Sequence, residues 1–181
     1  MKEVVLKVKQ IKDNIILPEY QSFGSSGMDI RASEDILIMP GETKLISTGL
    51  IFEIPEGYEL QVRPRSGLSL NTPLRVTNSP ATIDSDYRLE LGIIINNSSE
   101  KIYNVVEVGN KYILKEQEKS LYNVYDINTK GNMNGIYSIK KGDRVAQIVL
   151  AKVEKANIIK VDEIKKVNTT RSGGFGSTGT K

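Results

Sequence analysis

The stretch KLISTGLIFEIPEGYELQVRP, Lys44 to Pro64, holds two apolar runs rich in β-branched and aromatic residues, parted by Pro55-Glu56-Gly57. Such runs fit a pleated surface, and the Pro-Gly punctuation marks a tight turn. The texture continues outward on both sides. Upstream, EVVLKVK alternates from Val4 to Val8, and Pro40-Gly41 marks another turn. Downstream, LELGIIINN (Leu89–Asn97) and RVAQIVLAKV (Arg144–Val153) read as buried strands. Many short strands with Gly/Pro turns predict an all-β sandwich, barrel or jelly roll. A short helix is expected at SGLSLN (Ser66–Asn71), and IIKVDEIKKVNTT near the end as a last strand or arm.

The absences narrow the chemistry. The 181 residues suit one domain with a sizeable core, at 39% hydrophobic and 26% charged residues. There is no cysteine, so disulfides and thiolate metal sites are excluded. There is no histidine either, which excludes Ser-His-Asp and Cys-His catalysis, His-ligated zinc and zinc deaminase chemistry. Carboxylates, Tyr, Lys, Arg, hydroxyls and an oxygen-bound metal remain, and Mg²⁺ fits that inventory. The net charge of +3 suits a small polyanion and is too weak to argue for duplex DNA. No apolar run nears the ~18 residues a membrane span needs, and the N-terminus does not resemble a signal peptide. The expected location is cytosolic.

One segment differs in texture. Asn97–Ile136 is rich in Lys, Glu, Asn and Tyr, and holds Tyr103, Tyr112, Tyr122 and Tyr125. It reads as an inserted β-hairpin or small subdomain.

Five stretches carry candidate chemistry. SSGMDI (Ser25–Ile30) sets Asp29 after a glycine turn, where a carboxylate could orient water around a metal. RPRSGLS (Arg63–Ser69) offers the Arg65 guanidinium and backbone N–H groups beside Gly67, both suited to phosphate. NSPATIDSDYRLE (Asn78–Glu90) holds Asp84, Asp86, Tyr87 and Arg88. A carboxylate is the best general base in a His-free chain, and an aromatic ring nearby makes a flat wall for a sugar. In an extended strand Asp84 and Asp86 share a face, unless a turn intervenes. KGDRVAQIVL (Lys141–Leu150) places Arg144 and Gln147 in an otherwise apolar strand, where a polar side chain needs a partner. RSGGFGSTGT (Arg171–Thr180) combines glycines, hydroxyls, one Arg and Phe175, which could stack on a nucleobase.

Singly, each stretch also has a structural reading. Asp29 could satisfy its own turn, Arg65 a Pro-flanked bend, Asp84–Arg88 a polar hairpin tip and Gln147 an internal network. RSGGFGSTGT could be a loose polar end. Together they supply phosphate donors, a base, a sugar wall and a base-stacking lid, a set that fits a nucleoside triphosphate with Mg²⁺.

In order along the chain, SGMDI, PRSGLS, PATIDSDYRLE, GDRVAQ and RSGGFGSTG resemble the five motifs of the trimeric dUTPases, dUTP diphosphatases. The resemblance covers nearly the whole chain. It implies an all-β jelly roll with a flexible C-terminal lid, as a β domain over 1–169 (insert about 97–136) and a lid over 170–181. It implies a homotrimer with active sites at subunit contacts. The implied reaction is dUTP with water giving dUMP and diphosphate, with Mg²⁺ on the triphosphate. That reaction keeps uracil out of DNA and supplies dUMP for thymidylate synthesis.

Carried over residue by residue, Asp84 would deprotonate the attacking water and contact the 3′-hydroxyl. Tyr87 would sit against the deoxyribose and exclude a 2′-hydroxyl. Asn78, Thr82, Ile83 and Gly92 would hold uracil and sugar, and Arg65, Ser66, Gly67 and Gln147 the phosphates. Asp29 would act on Mg²⁺ through water, and Arg144 would orient the Asp84 region. Phe175 would stack on uracil, with Arg171, Gly176, Ser177 and Thr178 around the outer phosphates. Three departures stand out: Ala81 and Leu89 replace usual glycines, and Arg171 lies one residue nearer Phe175 than usual.

The long Tyr87–Gln147 separation resembles the extra segment of dUTPases from temperate staphylococcal phages. Some of those also bind and relieve a pathogenicity-island repressor, which makes such a repressor an expected partner here, with exposed insert tyrosines as the contact. A solvated insertion without a partner is the other reading. The location would be the cytoplasm of a bacterial host if the gene is a phage's. No direct contact with nucleic acid or membrane is expected. The competing functions are a dCTP deaminase-type enzyme and a catalytically silent regulatory member of the fold.

Overall fold

The computed structural model describes residues 3–108, 111–116, 122–165 and 167. Arg171, Phe175, Gly176, Ser177, Thr178 and the expected lid lie outside them. The described chain forms short strands and one helix. In order, β1 is Lys7–Gln10, β2 Glu19–Tyr20, β3 Met28–Arg31, β4 Ile36–Ile38, β5 Thr43–Ser47, β6 Leu50–Glu53, β7 Tyr58–Arg63 and α1 Ser66–Asn71. There follow β8 Leu74–Val76, β9 Ala81–Ile83, β10 Gly92–Asn97, β11 Tyr103–Val108, β12 Lys111–Glu116, β13 Val124–Asp126, β14 Ile136–Ile139 and β15 Arg144–Lys152.

The largest sheet runs β2-β3-β15-β7-β9. Two three-stranded sheets, β5-β10-β8 and β13-β14-β4, and the pair β1-β6 complete the body. All these pairings are antiparallel except β13 with β14. This is the all-β class expected from the punctuation, in the jelly-roll form that the resemblance implies.

Alternation explains how the layers close. In β10, GIIINN, every second residue is buried. The inward residues of the sheets meet in one core: Ile30, Leu60, Val62 and Ile148 with Ile46, Ile93, Ile95, Leu74, Ile38, Tyr137 and Ile139. Burying each such side chain contributes about 1.5–3 kcal/mol. Tyr137 is fully buried, donates its hydroxyl to the Met133 carbonyl at 2.9 Å, and tilts against Tyr125 with ring centroids 5.8 Å apart. Burial pushes its phenol above the usual tyrosine range.

Several boundaries differ from expectation. The Lys44–Ile54 run is two strands, because Gly49 at φ +70° turns the chain between β5 and β6. The strand expected from Leu89 starts at Gly92. Beyond β15 no strand forms through Lys165. That segment is an arm without regular structure, with Ile158, Ile159 and Ile164 largely exposed.

The insert is a β-hairpin, β11 against β12, on a stapled base. Asn97, fully buried, donates its side-chain Nδ2–H to the carbonyls of Ile38 and Gly135, and its Oδ1 accepts the Ser99 N–H. Asn134 and the Glu100 backbone exchange hydrogen bonds. The exposed-tyrosine expectation holds for Tyr103 and is overturned for Tyr122. Tyr122 is buried because its hydroxyl accepts the Ile102 N–H and closes the hairpin base. Tyr125 is half-buried on Tyr137.

Candidate active site

The phosphate candidates converge at one end of the five-stranded sheet. Gln147 on β15 lies opposite both Asp29 on β3 and Arg63 on β7, so the three side chains share a face. Arg65, just past β7, donates Nε–H to Asp29 Oδ1 at 2.9 Å and Nη1–H to the Arg144 carbonyl at 3.2 Å. Arg144 donates Nη1–H to Asp29 Oδ2 at 3.0 Å. One carboxylate, only 12% exposed, therefore orients two guanidinium groups. Gln147 Nε2 donates to the Pro64 carbonyl at 3.0 Å. A side chain on Gly27 would come within 2.7 Å of Gln147 Oε1, so the glycine is what admits this amide. Ser66 and Gly67 open α1, both exposed, with Arg65 at the N-cap. Asp29, Gly27, Gln147 and Arg63 line a cavity of about 380 Å³ with Ser25 and Ser26. Arg63 was missed from sequence. The clue was its position two residues before Arg65 on an extended run.

The second group of candidates sits elsewhere. Thr82 and Ile83 are on β9, opposite Gln61 and Leu60. Asp84 follows and is exposed. Asp84 and Asp86 do not alternate along a strand, because a turn intervenes: the Tyr87 N–H donates to the Asp84 carbonyl at 3.1 Å. The Tyr87 hydroxyl donates to the Glu90 carbonyl at 3.0 Å, and Arg88 folds back onto the carbonyls of Ser85 and Tyr87. Asn78 is exposed in the turn before β9, and Gly92 begins β10. Ala81 is buried on β9, and Leu89 adopts an ordinary backbone angle, so neither departure from glycine strains the hairpin. Asp84, Thr82 and Arg88 line a cleft of about 890 Å³ with Tyr58, Glu59 and Lys155.

Within one chain the two groups do not meet. From the Arg63 level to the Leu60–Ile83 level is about 10 Å along β7, and β3 to β9 spans about 14 Å across the sheet. Arg144 accordingly pairs with Asp29 and not with the Asp84 turn.

Among the described residues no three acidic side chains converge on a metal position, and no helix is long and apolar enough to cross a membrane.

Known proteins place this arrangement. The family model described as dUTPase matches residues 13–111 and 110–179. The chain is 40% identical over 175 residues to the deoxyuridine 5′-triphosphate nucleotidohydrolase of Nautilia profundicola, covering 96% of this chain and 98% of that one. A variant of the Staphylococcus bacteriophage 80alpha dUTPase with dUpNHpp superposes with a TM-score of 0.77 at 28% identity, over 97% of this chain and 98% of that one; phage dUTPases are there described as controlling transfer of virulence genes. The dUTPase of phage phi11 of S. aureus, described with a species-specific insert, matches with a TM-score of 0.71 at 28% identity, over 91% of this chain and all of that one. A variant of it coordinates a structural Mg(II) ion. With the jelly roll, the Asp29-centred cavity and the Asp84–Tyr87 turn in place, the chain belongs to the dUTPase family.

Proposed function

We propose that the chain hydrolyses dUTP to dUMP and diphosphate at a site shared between copies of itself. The observation that carries this is the separation just described: Asp29 and Gln147 line one cavity, with Arg65 and Arg144 paired to Asp29, and Asp84 lines another. A second copy that brings its Asp84 turn to the first copy's Asp29–Arg65–Arg144 cluster supplies every part. A homotrimer does this with closed symmetry. The arm supports it, since Ile158, Ile159 and Ile164 stay exposed on one copy and suit the surface of another.

Asp84 orients a water and takes its proton as the water attacks the α-phosphorus. A new P–O bond forms while the bond to the bridging oxygen breaks, and the electron pair leaves with diphosphate. Arg65, Ser66, Gly67, Gln147 and Arg144 hold and neutralise the phosphates, where positioning and charge stabilisation dominate. Tyr87 closes the sugar side against a 2′-hydroxyl, and Asn78, Thr82, Ile83 and Gly92 frame the base. The segment 170–181, with Phe175 for the base and Arg171, Gly176, Ser177 and Thr178 for the outer phosphates, closes the site over the 1–169 domain.

The donor chemistry fits Mg²⁺, because only oxygen ligands are at hand and Asp29, beside Ser25 and Ser26, keeps lone pairs for water beyond its two arginine bonds. Bound there through water, the ion would add charge neutralisation on the triphosphate. The proposed location is the cytoplasm, of a bacterial host for a phage gene.

A dUTP, dCTP, dTTP and UTP panel with Mg²⁺, read by diphosphate and ammonia release, tests the reading. Diphosphate from dUTP alone is expected. Ammonia from dCTP would make it a deaminase, and no turnover a silent binding protein.

A second role rests on the insert. The β11–β12 hairpin exposes Tyr103 and Ile113, and Ile102 is exposed just before it, aromatic and apolar groups suited to a protein partner. We assign it to binding a repressor of a mobile pathogenicity island. Deleting Lys101–Asn134 should abolish that binding; unchanged repressor binding would sink the assignment.

A further inference from the structure

Glu90 is an acidic residue at the entrance to the buried strand β10, and the chemistry above does not use it. Its carboxylate is tied down from one direction. Oε1 accepts the Ser47 hydroxyl at 2.5 Å and the Gly49 N–H at 2.7 Å. Ser47 in turn bonds the Ser33 hydroxyl at 2.6 Å and receives Lys12 Nζ at 2.8 Å. Lys12 is shared with Glu34 at 2.8 Å. Burial opposes the charge on Glu90, but the bonds from Ser47 and Gly49, the Lys12 charge and the Thr48 amide outweigh it and hold the carboxyl below its usual range.

The backbone around Glu90 repeats the attachment. The Leu91 N–H donates to the Leu50 carbonyl at 2.8 Å, and the Thr48 hydroxyl donates to the Leu91 carbonyl at 2.6 Å. Residues 84–91 thus leave β9 at Asp84 and return to the body at Glu90–Leu91, clamped on the β5–β6 turn. Between these points, the Tyr87 phenol donates to the carbonyl of Glu90 itself. Any shift of Glu90 moves the acceptor that sets the Tyr87 ring.

We propose that Glu90 is a positioning residue for sugar selection, anchoring the Asp84–Leu91 loop through Ser47 and Gly49 so that Tyr87 stands where a 2′-hydroxyl would fall. This rests on the sugar-wall role of Tyr87 proposed above. It does not place Glu90 against substrate.

The test measures kcat/KM for dUTP and UTP in the full-length wild type, Glu90→Ala and Glu90→Gln. Hydrogen exchange over residues 84–91 is read in parallel. Glu90→Ala is expected to lower dUTP-over-UTP discrimination at least about tenfold, since displacements near 1 Å can cost about 100-fold. Exchange at the Tyr87 and Leu91 amides should quicken. Glu90→Gln keeps an oxygen for both donors and should restore discrimination to within about threefold of wild type, a rescue that loss of stability alone would not produce. Unchanged discrimination with unchanged exchange in folded Glu90→Ala overturns the proposal. If Glu90→Ala does not fold, Ser47→Ala removes one donor to the same oxygen, and a wild-type ratio there overturns it equally. A wild-type chain that fails to distinguish dUTP from UTP refutes the role of Tyr87, and the exchange data then decide the anchoring alone.

Discussion

Asp29 and Arg65, 36 positions apart, are joined by an Nε–H donated to Oδ1 at 2.9 Å. The same carboxylate holds Arg144, so its loss removes an ion pair from both guanidinium groups at once. Asp29→Ala should lower kcat/KM for dUTP by about 10- to 100-fold, mostly through KM, because misplaced phosphate donors weaken positioning. Steady-state kinetics read the split. Stability should fall by about 1–3 kcal/mol, seen in urea titrations, because two charged hydrogen bonds to a largely buried carboxylate are removed.

Asp84→Asn keeps the turn's shape and removes the proposed base. Turnover should drop by about 10²–10⁴-fold, while nucleotide affinity by calorimetry stays within about threefold. Turnover near wild type would reassign the base.

The separation of Asp84 from the Asp29 cavity makes a complementation experiment decisive. Arg65→Ala and Asp84→Asn proteins should each be nearly inactive. Refolded together, they should regain activity, because some shared sites then receive an intact Arg65 from one chain and an intact Asp84 from another. No recovery in mixed assemblies would mean that each site is built within one chain.

Glu90 sets a pH dependence. Its folded-state pKa is depressed below the ordinary value of 4.5. Its contribution is therefore fully present above about pH 4.5 and is lost as pH falls through the depressed value. The melting-temperature gap between wild type and Glu90→Gln should be constant above that pH and shrink below it. Thermal melts across the acid range give the sign directly.

The strands were legible where alternation is local, as in β7 and β10, and the turns where Pro or Gly punctuates them. Gly49 hid inside one apolar run because a positive φ leaves no mark on hydrophobicity. Asp29, Arg65 and Gln147 were each readable as candidates from their local motifs. That Asp29 pairs with two arginines was not, since it depends on β3, β15 and β7 lying side by side. Glu90 gave no signal, because its partners Ser47 and Gly49 are defined by a turn more than 40 positions away. The arm was ambiguous for a physical reason: its apolar residues alternate like a strand but find no edge within one chain.

Asn97 and Asn134 join the two feet of the β11–β12 hairpin before the hairpin begins. The body of the protein therefore sees a closed junction whatever sequence lies beyond it. A change of sequence within the hairpin leaves those junction bonds in place. If the proposed partner binds there, the hairpin's sequence would follow that partner, while the residues of the nucleotide site stay under the constraint of substrate.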